Sequence, residues 1–188
     1  MGFFDYVKYF FYHCGMEKQK HGFEYQNKMC EEHSLVSDPK YTGMWDAYKP
    51  DGTPCVIKTF KHGSELPLSD LFSNTKRNTD FYLIYGVWKG KKSNIIKEGE
   101  VLIDISKWKE LLEWEHYDEM KHWIKYIVSN SYSYDSIWKV EKDNWKDRWG
   151  RDRIVQPRFK RDHGIQRRIQ SAVAHKNIDL FLEYAQKK

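Results

Sequence analysis

The sequence predicts a protein of the α/β (α+β) class, with a central mixed β-sheet and flanking helices. Three observations indicate this class. The turn formers Pro50, Asp51 and Gly52 separate two short β-forming stretches and predict a hairpin. The segment Asp80–Trp88 is the most apolar of the chain, short and nearly continuous, as is typical of a strand covered on both faces. Segments with helical spacing of apolar residues lie before and after these strands.

Two helices are predicted before the hairpin. Apolar side chains recur at helical spacing over Phe3–Tyr12 and again over Lys18–His33. A connector over Ser34–Lys40 follows the second helix. The strands of the hairpin are then predicted at Thr42–Tyr48 and Cys55–Phe60, on either side of the turn.

A second pair of strands and a long helix are predicted after the hairpin. One helical turn is expected around Leu68–Phe72, and the apolar strand Asp80–Trp88 is followed by a return strand over Ile95–Ile105. Ser106 is a good N-cap, because its hydroxyl can accept a hydrogen bond from a free amide of the first turn. One helix is therefore predicted from Ser106 to the turn formers at Ser129–Asp135.

The C-terminal part is predicted to hold a short strand and then helix. The strand covers Ile154–Phe159, and Pro157 confines it to a sheet edge because proline cannot donate to a neighbouring strand. Asp162 can cap a helical region over residues 164–186, which is either one helix or two that meet near Lys176.

Length and charge indicate one domain with a basic C-terminal region. A chain of 188 residues, 40% of them hydrophobic, is most simply a single domain over residues 1–188. The net charge of +5 is unevenly spread, since residues 146–188 hold 12 Lys or Arg against 5 Asp or Glu. Such a concentration is the electrostatic footprint of a protein that binds a polyanion, and a solvated basic surface is the alternative.

Composition also bears on the compartment. No apolar run approaches the length of a membrane span, and the N-terminus lacks the basic leader of a signal peptide. The three cysteines, Cys14, Cys30 and Cys55, form no CxxC pair and are odd in number. A cytoplasmic protein with reduced thiols and no membrane partner is therefore expected.

Several familiar catalytic motifs are missing from the sequence. The eight histidines form no HExxH motif, and no Cys and His pairs stand at zinc spacing. No GxSxG, GxGxxG or P-loop segment occurs either. Oxygen ligands for a hard cation remain as the candidate chemistry.

Two charged side chains on the hairpin are the strongest candidates. Alternation places Asp46 with Met44 and Tyr48 on one face of the first strand, and Lys58 with Val56 on one face of the second. An Asp and a Lys on adjacent strands among apolar neighbours are expensive to bury unless they pair or bind something. A structural ion pair between them is the alternative to an active site.

Three charged residues and their settings carry a resemblance to a known family. Glu24 lies in HGFEYQNKM, Asp46 in TGMWDAY and Lys58 in PCVIKT. Over about residues 20–105 this pattern resembles the PD-(D/E)xK, restriction-endonuclease-like nuclease superfamily, in which a helix Glu precedes a strand Asp and a neighbouring strand carries (D/E)xK. The resemblance implies that Asp46 and Glu24 bind Mg²⁺, that the carbonyl of Ile57 assists, and that Lys58 is the catalytic lysine.

One position departs from the family's pattern. Val56 stands two residues before the lysine, where the motif has Asp or Glu. The missing carboxylate would come from Glu24, or from another acid such as Glu65 or Asp70. In the implied chemistry, Mg²⁺ polarises a phosphoryl oxygen and lowers the pKa of an attacking water, while Lys58 neutralises the developing charge.

The resemblance implies a Mg²⁺-dependent endonuclease of the type II restriction type, which hydrolyses phosphodiester bonds in double-stranded DNA as a homodimer. The alternatives are a catalytically inactive nucleic-acid-binding protein on the same fold and, third, a protein that acts on RNA. Cationic side chains of the basic C-terminal region are the expected DNA contacts: Arg148, Arg151, Arg153, Arg158, Lys160, Arg161, Arg167 and Arg168.

Overall fold

The computed structural model describes residues 21–38, 43–129, 135–162 and 166–188. The predicted helix over Phe3–Tyr12 and the Cys14 thiol lie outside these ranges. The thiols of Cys30 and Cys55 are free. Within the described ranges, no helix is both long and apolar enough to cross a bilayer.

The chain packs as two compact units, one of residues 1–62 and 82–100 and the other of residues 63–81 and 101–188. That it forms a single domain stays a prediction. The described strands are β1 Val36–Ser37, β2 Ala47–Tyr48, β3 Pro54–Lys61, β4 Leu66–Asp70, β5 Phe81–Trp88, β6 Ile95–Ile103, β7 Val155–Asp162 and β8 Gln166–Val173. The described helices are α1 over 21–32, α2 Leu71–Asn74, α3 Ile105–Leu112, α4 Tyr117–Ser129, α5 Asp135–Trp149 and α6 Ile178–Ala185.

A mixed sheet organises the first unit, with its strands in the order β1-β2-β3-β5-β6. β2 and β3 are antiparallel, with Ala47 opposite Cys55, so the predicted hairpin is confirmed. Its first strand is shorter than the predicted Thr42–Tyr48, because residues 43–46 are not strand and only Ala47 and Tyr48 pair with β3. β3 and β5 are parallel, from Cys55 opposite Tyr82 to Lys61 opposite Trp88. Parallel and antiparallel pairs in one sheet confirm the predicted α/β class with a central mixed sheet.

Helix α1 covers one face of this sheet. Its residues Tyr25 and Met29 are four positions apart, so they lie on one side of the helix, and both are buried. Cys55 and Ile57, which alternate with Val56 and Lys58 along β3, join them in one apolar cluster. The odd-numbered side chains of β3 therefore point towards α1, and the even-numbered ones point to the other face.

A glycine on β5 permits this close packing. Gly86 lies opposite Thr59 of β3. A Cβ atom at Gly86 would be 2.6 to 2.7 Å from the ring and hydroxyl of Tyr25, which is closer than Cβ atoms approach other heavy atoms. The absence of a side chain at this position therefore lets the Tyr25 ring pack directly on the strand.

The second unit contains an antiparallel sheet in the order β4-β8-β7. β7 lies at its edge, so the edge strand predicted around Pro157 is confirmed. β8 lies between the other two strands and pairs with β7 over its whole length, from Val155 opposite Val173 to Asp162 opposite Gln166.

The helix predicted over residues 164–186 is wrong in its first half, because this part of the chain is strand β8. Helix α6 occupies the second half, after a short 3-10 turn. Arg167 and Arg168, predicted on a helix, therefore lie on a strand. The buried residues Ile169 and Val173 are four apart, a spacing that fits one helical turn and also one face of a strand.

Two helix starts also differ from prediction. The helix predicted from Ser106 is divided into α3 and α4, and its N-cap is Asp104, whose carboxylate accepts from the Ser106 amide at 2.8 Å. The turn predicted around Leu68–Phe72 overlaps strand β4, and α2 follows Asp70, whose Oδ1 accepts from the Ser73 amide at 2.8 Å. An aspartate that accepts from a first-turn amide thus fixes each start.

Candidate functional site

The charged pair predicted on the hairpin meets in the structure. The Nζ of Lys58 lies 2.7 Å from Oδ2 of Asp46, and the backbone N–H of Ile57 donates to the same oxygen at 2.7 Å. The side chains remain partly accessible, 27% exposed for Asp46 and 17% for Lys58. Asp46, Ile57 and Lys58 are therefore brought together, as predicted. Ile57 takes part through its N–H, which donates to the Asp46 carboxylate, whereas its carbonyl was the group expected to assist the metal.

Strand register explains why the two charges share a face. Ala47 is opposite Cys55, so Asp46, one residue earlier, comes next to Val56. Side chains of directly opposed residues lie on the same face of an antiparallel pair. Lys58 is two residues beyond Val56 and points the same way. The carboxylate and the ammonium therefore lie on the face of the sheet away from α1.

The main chain of Asp46 is held by three hydrogen bonds. Its N–H donates to the carbonyl of Cys55 at 2.9 Å. Its carbonyl accepts from Nε2 of Gln26 at 3.0 Å and from the N–H of Asp38 at 3.2 Å. Gln26 was not among the predicted site residues, because no local pattern in α1 indicates which of its polar residues reaches the hairpin.

Glu24 lies elsewhere on α1. It is exposed and lines a cavity of about 610 Å³ together with His21 and the turn before β6. His21 Nε2 lies 3.1 Å from Thr59 Oγ1, on the α1 side of β3. Burial and the Lys92 ammonium lower the pKa of His21, and the Glu24 carboxylate acts against them. The structure does not bring Glu24 to the Asp46 carboxylate, so its role as a metal ligand stays a prediction.

Asp46 is a carboxylate that this face offers to a cation. None of the residues that the structure describes donates a hydrogen bond to its second oxygen, Oδ1. Val56 beside it is apolar and 1% exposed. Among the described residues, no three His, Cys, Asp or Glu side chains form a group that could hold a metal ion. Mg²⁺ is usually held by one or two carboxylates, waters and substrate phosphates, so Asp46 fits it as a single protein carboxylate.

The two other acids considered as ligands have partners within the second unit. Asp70 accepts from the Ser73 amide at the start of α2. Glu65 forms an ion pair with Arg158 of β7. Each carboxylate thus has a local structural role, and a role as a cation ligand stays a prediction for both.

Two predicted DNA-binding arginines near the end of α5 form ion pairs in the second unit. Nη2 of Arg148 lies 2.7 Å from Oε2 of Glu119, and its guanidinium stacks over the ring of Trp145 at 4.5 Å. Arg151 pairs with Asp147, four residues before it. These contacts give both arginines an intramolecular partner, and DNA contact stays a prediction.

Arg153 is part of the packing around Trp149. Its guanidinium lies 4.7 Å from the centre of the Trp149 ring and donates to the carbonyls of Leu111 and Glu113 at 3.1 and 2.6 Å. Burial lowers the pKa of the Arg153 guanidinium. Of the predicted DNA contacts, Arg153 therefore has the clearest structural role.

The remaining predicted DNA contacts lie on the two adjacent strands β7 and β8. Lys160 is opposite Arg168, and Arg161 is opposite Arg167. The side chains of Arg161 and Arg167 are outside the described part of the chain. The fold thus gathers five cationic positions, with Arg158, on one antiparallel pair.

The sequence matches no protein-family model and no curated protein. The contact between Asp46 and Lys58, the basic strands and the resemblance of the motifs are therefore the features that bear on function.

Proposed function

We propose that the protein is a Mg²⁺-dependent endonuclease that hydrolyses phosphodiester bonds in double-stranded DNA. The observation that carries this proposal is the 2.7 Å contact between Nζ of Lys58 on β3 and Oδ2 of Asp46, the residue directly before β2. It is the pairing of acid and lysine that the resemblance to PD-(D/E)xK nucleases implies. The partial exposure of both side chains supports access by a substrate.

Asp46 would hold the cation through Oδ1, while Oδ2 stays bonded to Lys58 and to the Ile57 amide. When bound, Mg²⁺ would polarise the phosphoryl oxygen and lower the pKa of a coordinated water. Because the main chain of Asp46 is fixed at its N–H and at its carbonyl, the carboxylate is oriented before substrate arrives. Waters and phosphate oxygens would complete the coordination.

Lys58 would stabilise the negative charge that develops on the phosphorus centre. Its ammonium lies beside the carboxylate and on the same face of the sheet, so both groups can approach one phosphate. Removal of one such electrostatic group typically lowers a rate by about 10²–10³. Cleavage of both strands of a duplex favours a two-fold symmetric homodimer. We further propose that the enzyme cuts at a specific DNA sequence, as restriction endonucleases do.

The test is plasmid cleavage by wild type and by two lysine variants, in Mg²⁺ and in EDTA. Lys58→Ala should cut at a rate lower by about 10²–10³. Lys61→Ala is the matched control and should cut at the wild-type rate. Lys61 lies on the same strand as Lys58, but it is exposed and points to the opposite face of the sheet. Equal cutting by both variants, or cutting that persists in EDTA, would contradict the proposal.

A second candidate is a nucleic-acid-binding protein without catalysis. It is favoured by Val56, which stands where the motif has an acid and is buried, and by the ion pair that already satisfies Lys58. A wild-type protein that shifts duplex DNA in a gel and yields no fragments in Mg²⁺ would support this candidate.

A further inference from the structure

One face of the second unit's sheet carries a concentration of positive charge. β7 and β8 bury one face in the core, where Val155, Ile169 and Val173 are inaccessible. Alternation places Arg158 and Lys160 of β7 on the opposite face. Arg158 is exposed and forms an ion pair with Glu65, whereas Lys160 is half-buried, and both side chains can be reached from solvent.

Strand register places further polar side chains on that face. Lys160 is opposite Arg168, and Arg158 is opposite Gln170. Two cationic side chains opposite each other place positive charge on both strands of this face, and such a charge distribution is complementary to a polyanion.

The sheet narrows to two strands where this charge lies. β4 pairs with β8 as far as Asp70 opposite Gln170. From there to Gln166, β8 pairs with β7 alone among the strands that the structure describes. We call residues 158–162 and 166–170 the basic ribbon.

A two-stranded antiparallel ribbon has the dimensions of a DNA groove. The major groove of B-DNA admits either an α-helix or a two-stranded ribbon. A strand rises by about 3.3 Å per residue, close to the rise of about 3.4 Å per base pair. The pair of Lys160 with Arg168 and the pair of Arg158 with Gln170 are two residues apart, so they match a spacing of about two base pairs.

We propose that the basic ribbon lies in a groove of duplex DNA, with Lys160 and Arg168 on its phosphates. The inference rests on the proposed function, because it names the surface that holds the same substrate. Charges on an edge strand can also serve to prevent aggregation, in which case their removal would lower solubility and leave DNA binding unchanged.

The test measures binding of a fluorescent duplex of random sequence by anisotropy, in EDTA and over a series of salt concentrations. In the double variant Lys160→Gln/Arg168→Gln, the slope of log K against log salt should fall by about 1.8, because each phosphate contact contributes about 0.9. At about 0.1 M salt the same relation predicts binding weaker by roughly 60-fold. The matched control is Lys109→Gln/Lys125→Gln, two exposed lysines on α3 and α4, which should keep the wild-type slope.

A charge-preserving variant separates lost contacts from lost folding. Lys160→Arg/Arg168→Lys keeps both charges and should keep the wild-type slope, and thermal unfolding of each variant shows whether it is folded. Wild-type affinity and slope in Lys160→Gln/Arg168→Gln would overturn the inference and leave the nuclease proposal standing if cleavage persists. If Lys160→Gln/Arg168→Gln binds the duplex more weakly than wild type and wild type never cuts DNA, the result would support the basic ribbon and reject the nuclease proposal. Binding by wild type to single strands or RNA alone would overturn the inference.

Discussion

Gln26 of α1 donates a hydrogen bond of 3.0 Å to the backbone carbonyl of Asp46, 20 residues further along the chain. The N–H of Asp38 donates to the same carbonyl at 3.2 Å. These bonds join the helix and the hairpin at the residue that carries the candidate carboxylate. The orientation of that carboxylate therefore depends on a helix residue that acts only by positioning.

Gln26→Ala should lower the free energy of unfolding by about 1 kcal/mol, because one neutral hydrogen bond is lost. The cleavage rate should fall by roughly 10-fold, since Asp46 is then held less precisely. Thermal unfolding and single-turnover cleavage measure the two effects. Asn27→Ala, at the exposed neighbouring position, is the control. Unchanged cleavage in a destabilised Gln26→Ala protein would show that the bond serves the fold alone.

Gly86→Ala should destabilise the first unit by about 1–3 kcal/mol, because the new Cβ would overlap the Tyr25 ring. Denaturant unfolding measures this change. The added substitution Tyr25→Leu should recover part of the loss, which a double-mutant cycle detects as coupling. Gly22→Ala is the control, since a Cβ there meets nothing within 4 Å. Additive effects of Gly86→Ala and Tyr25→Leu would contradict the packing argument.

Asp80 links the beginning of α3 to the C-terminus and should make stability depend on pH. Lys187 and the N–H of Ile105 both donate to its carboxylate, the latter at 2.9 Å. The Lys187 hydrogen bond, followed by that of Ile105, lowers the pKa of Asp80. A carboxyl with a lowered folded pKa stabilises the fold above its unfolded pKa of about 3.9, and this contribution is lost as pH falls through the folded pKa.

Asp80→Asn should therefore lower the free energy of unfolding by about 1 kcal/mol near neutral pH. The difference from wild type should shrink towards zero as pH falls through the folded pKa of Asp80, because the wild-type carboxyl is then protonated as well. Urea unfolding at a series of pH values measures it. Asp152→Asn, at an exposed position, should show no such convergence. A difference that is constant across the series would rule out ionisation of Asp80 as its cause.

Glu24→Gln decides between two roles for the helix acid. The Glu24 carboxylate lines a cavity on the α1 side, whereas Asp46 faces the other side of the sheet. We therefore expect Glu24→Gln to cleave DNA at a rate within about threefold of wild type. The substitution would act on Asp46 only indirectly, with an effect no larger than the loss of one hydrogen bond. A rate as low as that of Asp46→Asn would show instead that Glu24 supplies the second ligand.

The hairpin and its charged face could be predicted because their signals are local. Turn residues mark the reversal, and two-residue alternation decides which side chains accompany Asp46 and Lys58. The observed strand register agrees with the predicted faces, since Ala47 lies opposite Cys55 in the cluster beneath α1. Local sequence features were therefore sufficient to predict strand pairing where the partner strand follows directly in the chain.

Other features depend on distant partners and left no local signal. Ile169 and Val173 repeat with a period common to helix and strand, and only pairing with β4 and β7 makes that segment a strand. The contact of Gln26 with Asp46 likewise arises from the way α1 lies on the sheet. The ion pairs of Arg148 and Arg151 show that a basic composition does not distinguish charges used internally from charges that meet a ligand.

The most direct test of the proposed activity is single-turnover cleavage of a supercoiled plasmid by wild type and Asp46→Asn, each in Mg²⁺ and in EDTA. The amide keeps the shape of the side chain and removes the charge that would hold Mg²⁺. We expect EDTA-sensitive cutting by wild type, a rate lower by about 10²–10³ for Asp46→Asn, and similar duplex binding by both in EDTA. Cutting by a folded Asp46→Asn protein at the wild-type rate would contradict a cation site on the hairpin.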